Sequence, residues 1–456
     1  MSSKLNIVQV EKFEVLPSNQ PTNNAYSFRK GTPIIHISVP AQAKYLRPSS
    51  VRINGTFRLN NSDGTLVDNN NLKGSGLKNS TISSRVGIHS AFQNVVLSSE
   101  ATNQSLEAIR QYGRLVSSIL SSTHTQQDFA TEKSVVAVVN GFDSGTSNLC
   151  NNEVKFSIPL YCGLLQGGNP IPLSQNGING LRVQLELASD QQLLSGADAG
   201  GGGGNAGCFY EIKNVSLTGD LLVPDDAGVQ QLSVAGSGAF QYNSWSSLYS
   251  VINSSDSTQT YNLANSQVLS IVHTFLPVNA SNNYASDSFA TPELKNTNAG
   301  GTDYNQPCNL KRVSFSRGGV KLGFDYDFEC QEQNENNVPE TQVMMNFLNA
   351  FQPVISASRM LNSKQLLAYG GNDLRPFRPI NEANNRSQGV DADPNRNFGI
   401  GLALDRVSDV GVSFKGQSYA TRIVSDLDGK SPNAVFTFLL SKNVLQYSPQ
   451  GIIIST

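Results

Sequence analysis

Histidine is the usual general base and the commonest metal ligand near neutral pH. The chain has four: His36, His89, His124 and His273. No two stand at the H-x-x-x-H spacing that places two ligands on one helical face, and His36 and His273 fall inside segments that read as strands. All four read as structural. A serine nucleophile would be raised on a G-x-S-x-G elbow, and none occurs. The glycine run 200–204 has the composition of a phosphate cradle. No Gly-Lys-Ser/Thr follows it and no helix opens after it, so it reads as a loop tip between strands. Asp391 and Asp393 alternate, and Asp225 and Asp226 are adjacent. Either pair could touch a calcium ion, but a full site needs a longer register of oxygen ligands, so solvated loops are expected. Glu186 or Asp190 could supply one member of a glycosidase carboxylate pair. With Trp245 the only tryptophan, aromatic platforms for a sugar are few. The expectation is therefore no catalytic residue, no cofactor and no bound metal.

Binding chemistry is equally thin. Arg47, Arg52 and Arg58 cluster near one strand, and Arg375 and Arg378 form a second small group. They lack the interleaved aromatics that stack single-stranded bases, so a solvated or salt-bridged face is expected. Lys+Arg total 33 and Asp+Glu 35, a formal charge of −2, with only 15% charged residues. Phosphate binding needs clustered cations, which argues against a specific nucleic-acid partner. Cys150, Cys162, Cys208, Cys308 and Cys330 are odd in number and widely spaced, with no C-x-x-C pair, and read as reduced thiols. The first twenty residues, MSSKLNIVQVEKFEVLPSNQ, show no apolar core or cleavage pattern, so no secretion signal is expected. No run approaches 18 apolar residues, so no membrane span is expected either.

The elements are mostly strands. Residues 51–59 place Val51, Ile53, Phe57 and Leu59 on one face, with Gly55 the one break in a period of two. Residues 153–160 put Val154, Phe156, Ile158 and Leu160 inward, and residues 181–187 do the same with Leu181, Val183, Leu185 and Leu187. Further strands are expected at 33–40, 132–140, 208–218, 267–276, 410–424 and 434–440, with a hairpin over 310–328 about Arg317, Gly318 and Gly319. Two helices interrupt them. Residues 104–120 carry Leu106, Ile109, Tyr112, Val116 and Ile119 on one helical stripe, and 341–351 carry Val343, Met344, Phe347 and Leu348. The census restarts after Val223 and Pro224, so the join of two similar halves is expected between 220 and 242. Chain length of 456 residues suits two all-β domains of roughly 200 residues each.

Three segments carry a resemblance: YLRPSSVRINGTFRL at 45–59, FSIPLYCGLLQGGNPIPLSQNGINGLRVQLELASD at 156–190, and VLQYSPQGIIIS at 444–455. With the tandem strand-rich halves, they resemble the double jelly-roll major capsid proteins of eukaryotic double-stranded DNA viruses, of the Polinton-like virus and virophage type. That resemblance implies an all-β chain of two tandem eight-stranded jelly-roll sandwiches, with short helices in inter-strand loops. The divisions expected are an N-terminal arm (1–31), a first jelly roll (32–223), a linker (224–240) and a second jelly roll (241–456). It also implies a homotrimeric, pseudo-hexameric capsomer that tiles an icosahedral shell. Partners would be neighbouring capsomers, penton and minor capsid proteins. The chain would be made in the host cell interior, not secreted, and end in the virion. The polar stretches at 60–90, 190–207 and 279–308 suit the outward end. The arm carries only Lys4, Lys12, Arg29 and Lys30 as cations, too few for genome packaging. The alternatives are a penton, spike or other minor virion protein, or a carbohydrate-binding or carbohydrate-hydrolysing β-sandwich.

Overall fold

The computed structural model describes residues 6–60, 63–65, 81–82, 86–123, 154–174, 177–195, 209–233, 238–277, 310–322, 327–329, 346–347, 349–351, 353, 400–405, 411–425, 433–448 and 451–455. Eight principal strands come first: β1 (Ile7–Val15), β2 (Ile34–Val39), β3 (Arg52–Asn60), β4 (Phe92–Ser99), β5 (Ser105–Arg110), β6 (Val154–Pro159), β7 (Leu181–Leu187) and β8 (Phe209–Pro224). Eight more follow: β9 (Gly238–Ile252), β10 (Asp256–Asn262), β11 (Val268–Pro277), β12 (Leu310–Arg317), β13 (Val320–Lys321), β14 (Ile400–Ala403), β15 (Ser418–Ser425) and β16 (Asn433–Ser448). A closing strand, β17 (Gly451–Ser455), folds back along β16. The helices are α1 (Tyr112–Thr123), α2 (Gly163–Gln166), α3 (Asp190–Leu193) and α4 (Asp226–Ser233).

The pairing order defines the architecture. In the first half one sheet runs β1-β8-β3-β6 and the other β2-β7-β4-β5. In the second half the orders are β9-β16-β11-β14 and β10-β15-β12-β13. With the two-residue strands other than β13 set aside, the second pair of orders is the first with eight added to each strand number. Each is a Greek-key path wrapped into a two-sheet sandwich, the jelly roll. The halves also share a sheet: β9 pairs with β5 in parallel at Ser246 and Ala108, so β2-β7-β4-β5 runs on into β9-β16-β11-β14.

Local sequence explains the strands. On β7 every second residue, from Leu181 to Leu187, is buried, as the alternation requires. On β3, Ile53, Phe57 and Leu59 are buried, and Gly55 faces Phe156 of β6 across the ladder. A Cβ on Gly55 would lie 2.7 Å from the Phe156 ring, so the break in the pattern is where an aromatic side chain from the neighbouring strand takes the space. The β12–β13 hairpin turns on Gly318 and Gly319, both at positive φ (56° and 84°). A two-residue loop of that geometry matches the strand twist, and glycine adopts it without a steric penalty.

The β9-β16-β11-β14 sheet is buried on both faces. Leu269, Val272, Phe438 and Leu440 point into the core of the first half. Ile271, Phe275, Val435 and Leu439, alternating with them, point into the core of the second. That double burial is why 434–440 is apolar at every position but Thr437, with no alternation.

Several expectations need correction. Residues 104–110 are not helical: β5 occupies them, and the helix α1 begins only at Tyr112, after Gln111 at φ 57°. A bulge produces the misleading spacing, because the ladder with β4 skips Leu106 (Leu97 pairs Glu107, Ser98 pairs Ser105). The extra residue leaves Leu106 and Glu107 both buried. The segment 7–15 lies within the expected arm but forms β1, paired along β8. The expected linker holds α4, and β9 begins inside it at Gly238. The strands β4, β9, β10, β14 and β17 lie outside the expected ones. Of the second helix, Asn346, Phe347 and Asn349 are helical; Phe351 is buried against Trp245, and Phe347 against Phe351. Val343, Met344 and the expected strand 132–140 lie outside the described residues.

Candidate functional site

Among the described residues, those singled out for chemistry do not converge. His273 on β11 is buried in the second core. Its Nδ1 is 2.7 Å from the Thr437 hydroxyl, and its Nε2 is 2.7 Å from the Tyr419 hydroxyl and 3.2 Å from that of Thr421. Phe315 stacks on the ring at 5.7 Å. Burial pulls its pKa down to about 3, so it is a neutral, hydrogen-bonded core residue. His89 is also buried, with Nδ1 3.3 Å from the Tyr112 hydroxyl. His36 sits on β2 opposite Gln184. His124, the glycine run 200–204, Asp391, Asp393, Arg375 and Arg378 lie outside the described residues. Asp225 accepts from the Gly228 backbone N–H at 2.9 Å and from Asn6 Nδ2 at 3.1 Å, the work of a helix cap on α4. Glu186 accepts from Asn94 Nδ2 at 2.6 Å, whereas Asp190 accepts from the Tyr210 backbone N–H at 3.1 Å. Burial raises Asp190 to about 6. Cys162 is a buried free thiol. Among the described residues no three His, Cys, Asp or Glu side chains come together as a metal site.

Three of the arginines, Arg47, Arg52 and Arg58, lie among the described residues, and each has a partner. Arg47 lies 3.8 Å from the Asp220 carboxylate, Arg52 donates to the Ser157 carbonyl at 3.4 Å, and Arg58 donates to Asn60 Oδ1 at 2.7 Å.

The polar centre that matters is one the sequence reading passed over, Glu107. The β5 bulge turns this carboxylate inward, where it is 3% exposed. Its Oε1 accepts from the backbone N–H of Gly163 at 2.8 Å and of Trp245 at 2.7 Å, and its Oε2 accepts from the Leu164 N–H at 3.0 Å. Two donors open α2 of the first sandwich, and the third lies on β9, the first strand of the second sandwich. Burial pushes the Glu107 pKa up to about 7 against the pull of the three N–H bonds. The contact is close: a Cβ on Gly163 would stand 2.6 Å from the Asn243 carbonyl oxygen, so only glycine fits there. Beside it the Tyr242 hydroxyl donates to the Leu106 carbonyl at 3.0 Å. On the same face Arg114 of α1 lies 4.3 Å from the Phe436 ring centre. The arrangement joins rather than reacts: a satisfied buried carboxylate and an apolar core weld two sandwiches into one body.

The class is thus a double jelly roll. No family model matches the chain and no curated protein sequence does. Solved structures match along nearly its whole length. The PBCV-1 VP54 crystal structure, fitted into a reconstruction of the virophage Sputnik, matches with a TM-score of 0.57 at 10% identity, covering 99% of this chain and 97% of that one. The Faustovirus major capsid protein matches with a TM-score of 0.57 at 10% identity, covering 96% and 90%. The Sputnik virophage structure solved by cryo-EM matches with a TM-score of 0.52 at 10% identity, covering 99% and 89%. At that identity the likeness is one of fold. The chain has the double jelly-roll fold of viral capsid proteins. No helix among the described residues is long and apolar enough to cross a membrane.

Proposed function

We propose that the chain is a major capsid protein whose copies form homotrimers, each a pseudo-hexamer of six jelly rolls, that tile an icosahedral shell. The observation that carries the reading is the repeated pairing order within one welded body. Each copy brings two equivalent units, from Ile7 to Pro224 and from Gly238 to Ser455, at a fixed angle. Three copies around a closed threefold axis then present six. The low charge content supports it, since strand faces rich in uncharged polar groups pack without stranding ions, which is costly. Val8 and Val10 stand 69% and 51% exposed on the outward face of β1, apolar surface suited to a neighbouring copy. Neighbouring capsomers, penton and minor capsid proteins are the partners, and synthesis in the host cell precedes assembly into the virion. The reading assigns the chain no catalysis and no specific nucleic-acid contact.

Native mass measurement with light scattering tests it. A stable species of three chain masses is expected, with an interface above ~2,000 Å² per trimer contact. Val8→Glu or Val10→Glu is expected to weaken the trimer while leaving the circular dichroism spectrum unchanged. Only monomers at micromolar concentration, with no assembly at any salt, would overturn it.

A further inference from the structure

A groove of about 650 Å³ opens where the outer face of the first sandwich meets the second, in the range typical of ligand sites. Its walls come from both halves. β4, β5, β7 and the residues opening α1 and α3 supply one side, while Tyr249 of β9 and Phe436 of β16 supply the other. The β5–β9 pairing holds the walls together, and the Arg110 backbone N–H donates across it to the Ser247 hydroxyl at 3.1 Å.

The lining has a definite chemistry. Tyr249 is 55% exposed, a large aromatic surface left open. Its ring rests on Phe436 at 5.2 Å, and Phe436 carries the Arg114 guanidinium at 4.3 Å, so the platform is held from behind. The facing wall is a chain of amides and one carboxylate. Asn94 donates to Glu186 and accepts from the Gln111 backbone N–H at 3.3 Å. Gln192 donates to Gln111 Oε1 at 3.3 Å. These bonds fix the side chains before any ligand arrives, which lowers the entropy cost of binding. Among the described residues the Arg110 guanidinium and the Tyr249 hydroxyl have no side-chain partner, and the Glu186 carboxylate has only Asn94.

Charge narrows the ligand. The lining holds one arginine and one glutamate, so it is neutral overall. A phosphate polymer would want several cations. A ligand with an apolar face to lie on an aromatic ring, and hydroxyls that both donate and accept, fits amides, a carboxylate and a guanidinium together. We propose that this groove is a binding site for a neutral saccharide, whose pyranose face stacks on Tyr249 and whose hydroxyls bond Glu186, Arg110 and Gln192. The site does not depend on the assembly reading, because both walls belong to one chain.

The test uses the full chain and a panel of neutral mono- and oligosaccharides of glucose, galactose, mannose and N-acetylglucosamine. Binding is read by saturation-transfer NMR and titration calorimetry. At least one saccharide is expected to bind, with affinity lost about tenfold or more in Tyr249→Ala and in Glu186→Gln, and kept in Tyr249→Phe. Thermal melts check that each variant folds. No binding at about 10 mM sugar, equal binding by folded wild type and Tyr249→Ala, or capture of peptides in place of sugars would each overturn the proposal. A trimer that binds no sugar sinks this site and spares the capsid reading, and a monomer that binds sugar does the reverse.

Discussion

Replacing Glu107 by alanine removes the acceptor shared by three backbone N–H groups, from Gly163, Leu164 and Trp245. A buried donor left unpaired costs about 1–3 kcal/mol, so three would cost roughly 3–9 kcal/mol if nothing relaxed. One term opposes this. Folding raises the Glu107 pKa from 4.5 to about 7, so above pH 7 the native state holds an ion that burial disfavours. At 1.36 kcal/mol per unit that penalty is about 3 kcal/mol, and alanine is free of it. The net loss at pH 8 is expected to lie between roughly 0 and 6 kcal/mol, centred near 3. Between pH 4.5 and 7 the folded chain keeps a proton that the unfolded chain has released. Wild-type stability from this group is therefore full below pH 4.5 and falls as pH rises through 7. The alanine variant lacks that slope. Its deficit against wild type should grow by up to about 3 kcal/mol from pH 8 to pH 5.

The assay is built into the molecule, because Trp245 is the only tryptophan and its own N–H is one of the three donors. Urea unfolding followed by tryptophan emission at pH 8 and pH 5 reports both the stability and the state of the seam. Glu107→Gln, which keeps an acceptor but turns an amide donor towards one N–H, is expected to fall between wild type and alanine. An alanine variant with the wild-type midpoint and emission, or a deficit that ignores pH, would refute the idea that Glu107 pins the two sandwiches together.

Gly55→Ala places a methyl 2.7 Å from the Phe156 ring and should cost about 1–3 kcal/mol in a thermal melt, with part recovered in a Phe156→Leu background. His273 titrates in the opposite sense to Glu107: its folded pKa is down at about 3 against 6.5, so its contribution is full above pH 6.5 and lost as pH falls towards 3. About 2 kcal/mol should be gone by pH 5, and His273→Gln should flatten that slope in denaturant melts. Asp256→Asn breaks a two-pronged pair with Arg422 in which both side chains are 50% exposed, and should leave the midpoint of the same melts nearly unchanged.

The parts of this fold that could be read from sequence are those with one face buried. β7 shows its alternation because its other face meets water, and β3 shows it apart from Gly55, whose missing side chain makes sense only once Phe156 is seen across the ladder. β9 was hard to read for the opposite reason. It is rich in Ser, Asn and Gln, and Ser244 is buried because Asn443 donates to it at 2.6 Å, a partner nearly two hundred residues away. β1 passed for an arm because its outward face carries Val8 and Val10 beside Gln9, which hides the pattern. Glu107 was invisible for a deeper cause. Its segment satisfies a helical stripe, and only pairing with β4 and β9 decides for a bulged strand that turns the carboxylate inward.

The weld at the seam decides what the unit of this protein is. A tandem of independent sandwiches would keep one apolar face per sheet, with a linker free to set the angle. Here the β9-β16-β11-β14 sheet has two apolar faces, and one of them is completed only by the first sandwich. A cut between Pro224 and Gly238 followed by separation would bare Trp245, Val272, Phe438 and Leu440 together, at about 1.5–3 kcal/mol for each side chain of that size. It would also strand Glu107 with its α2 donors and no Trp245 N–H. The second jelly roll therefore cannot stand alone in its present sequence, and the angle between the two is a property of the core. A flexible tandem would present its two units at many angles, whereas a welded one presents them at a single angle, so the buried carboxylate at the seam bears on the geometry of the pair as well as on stability.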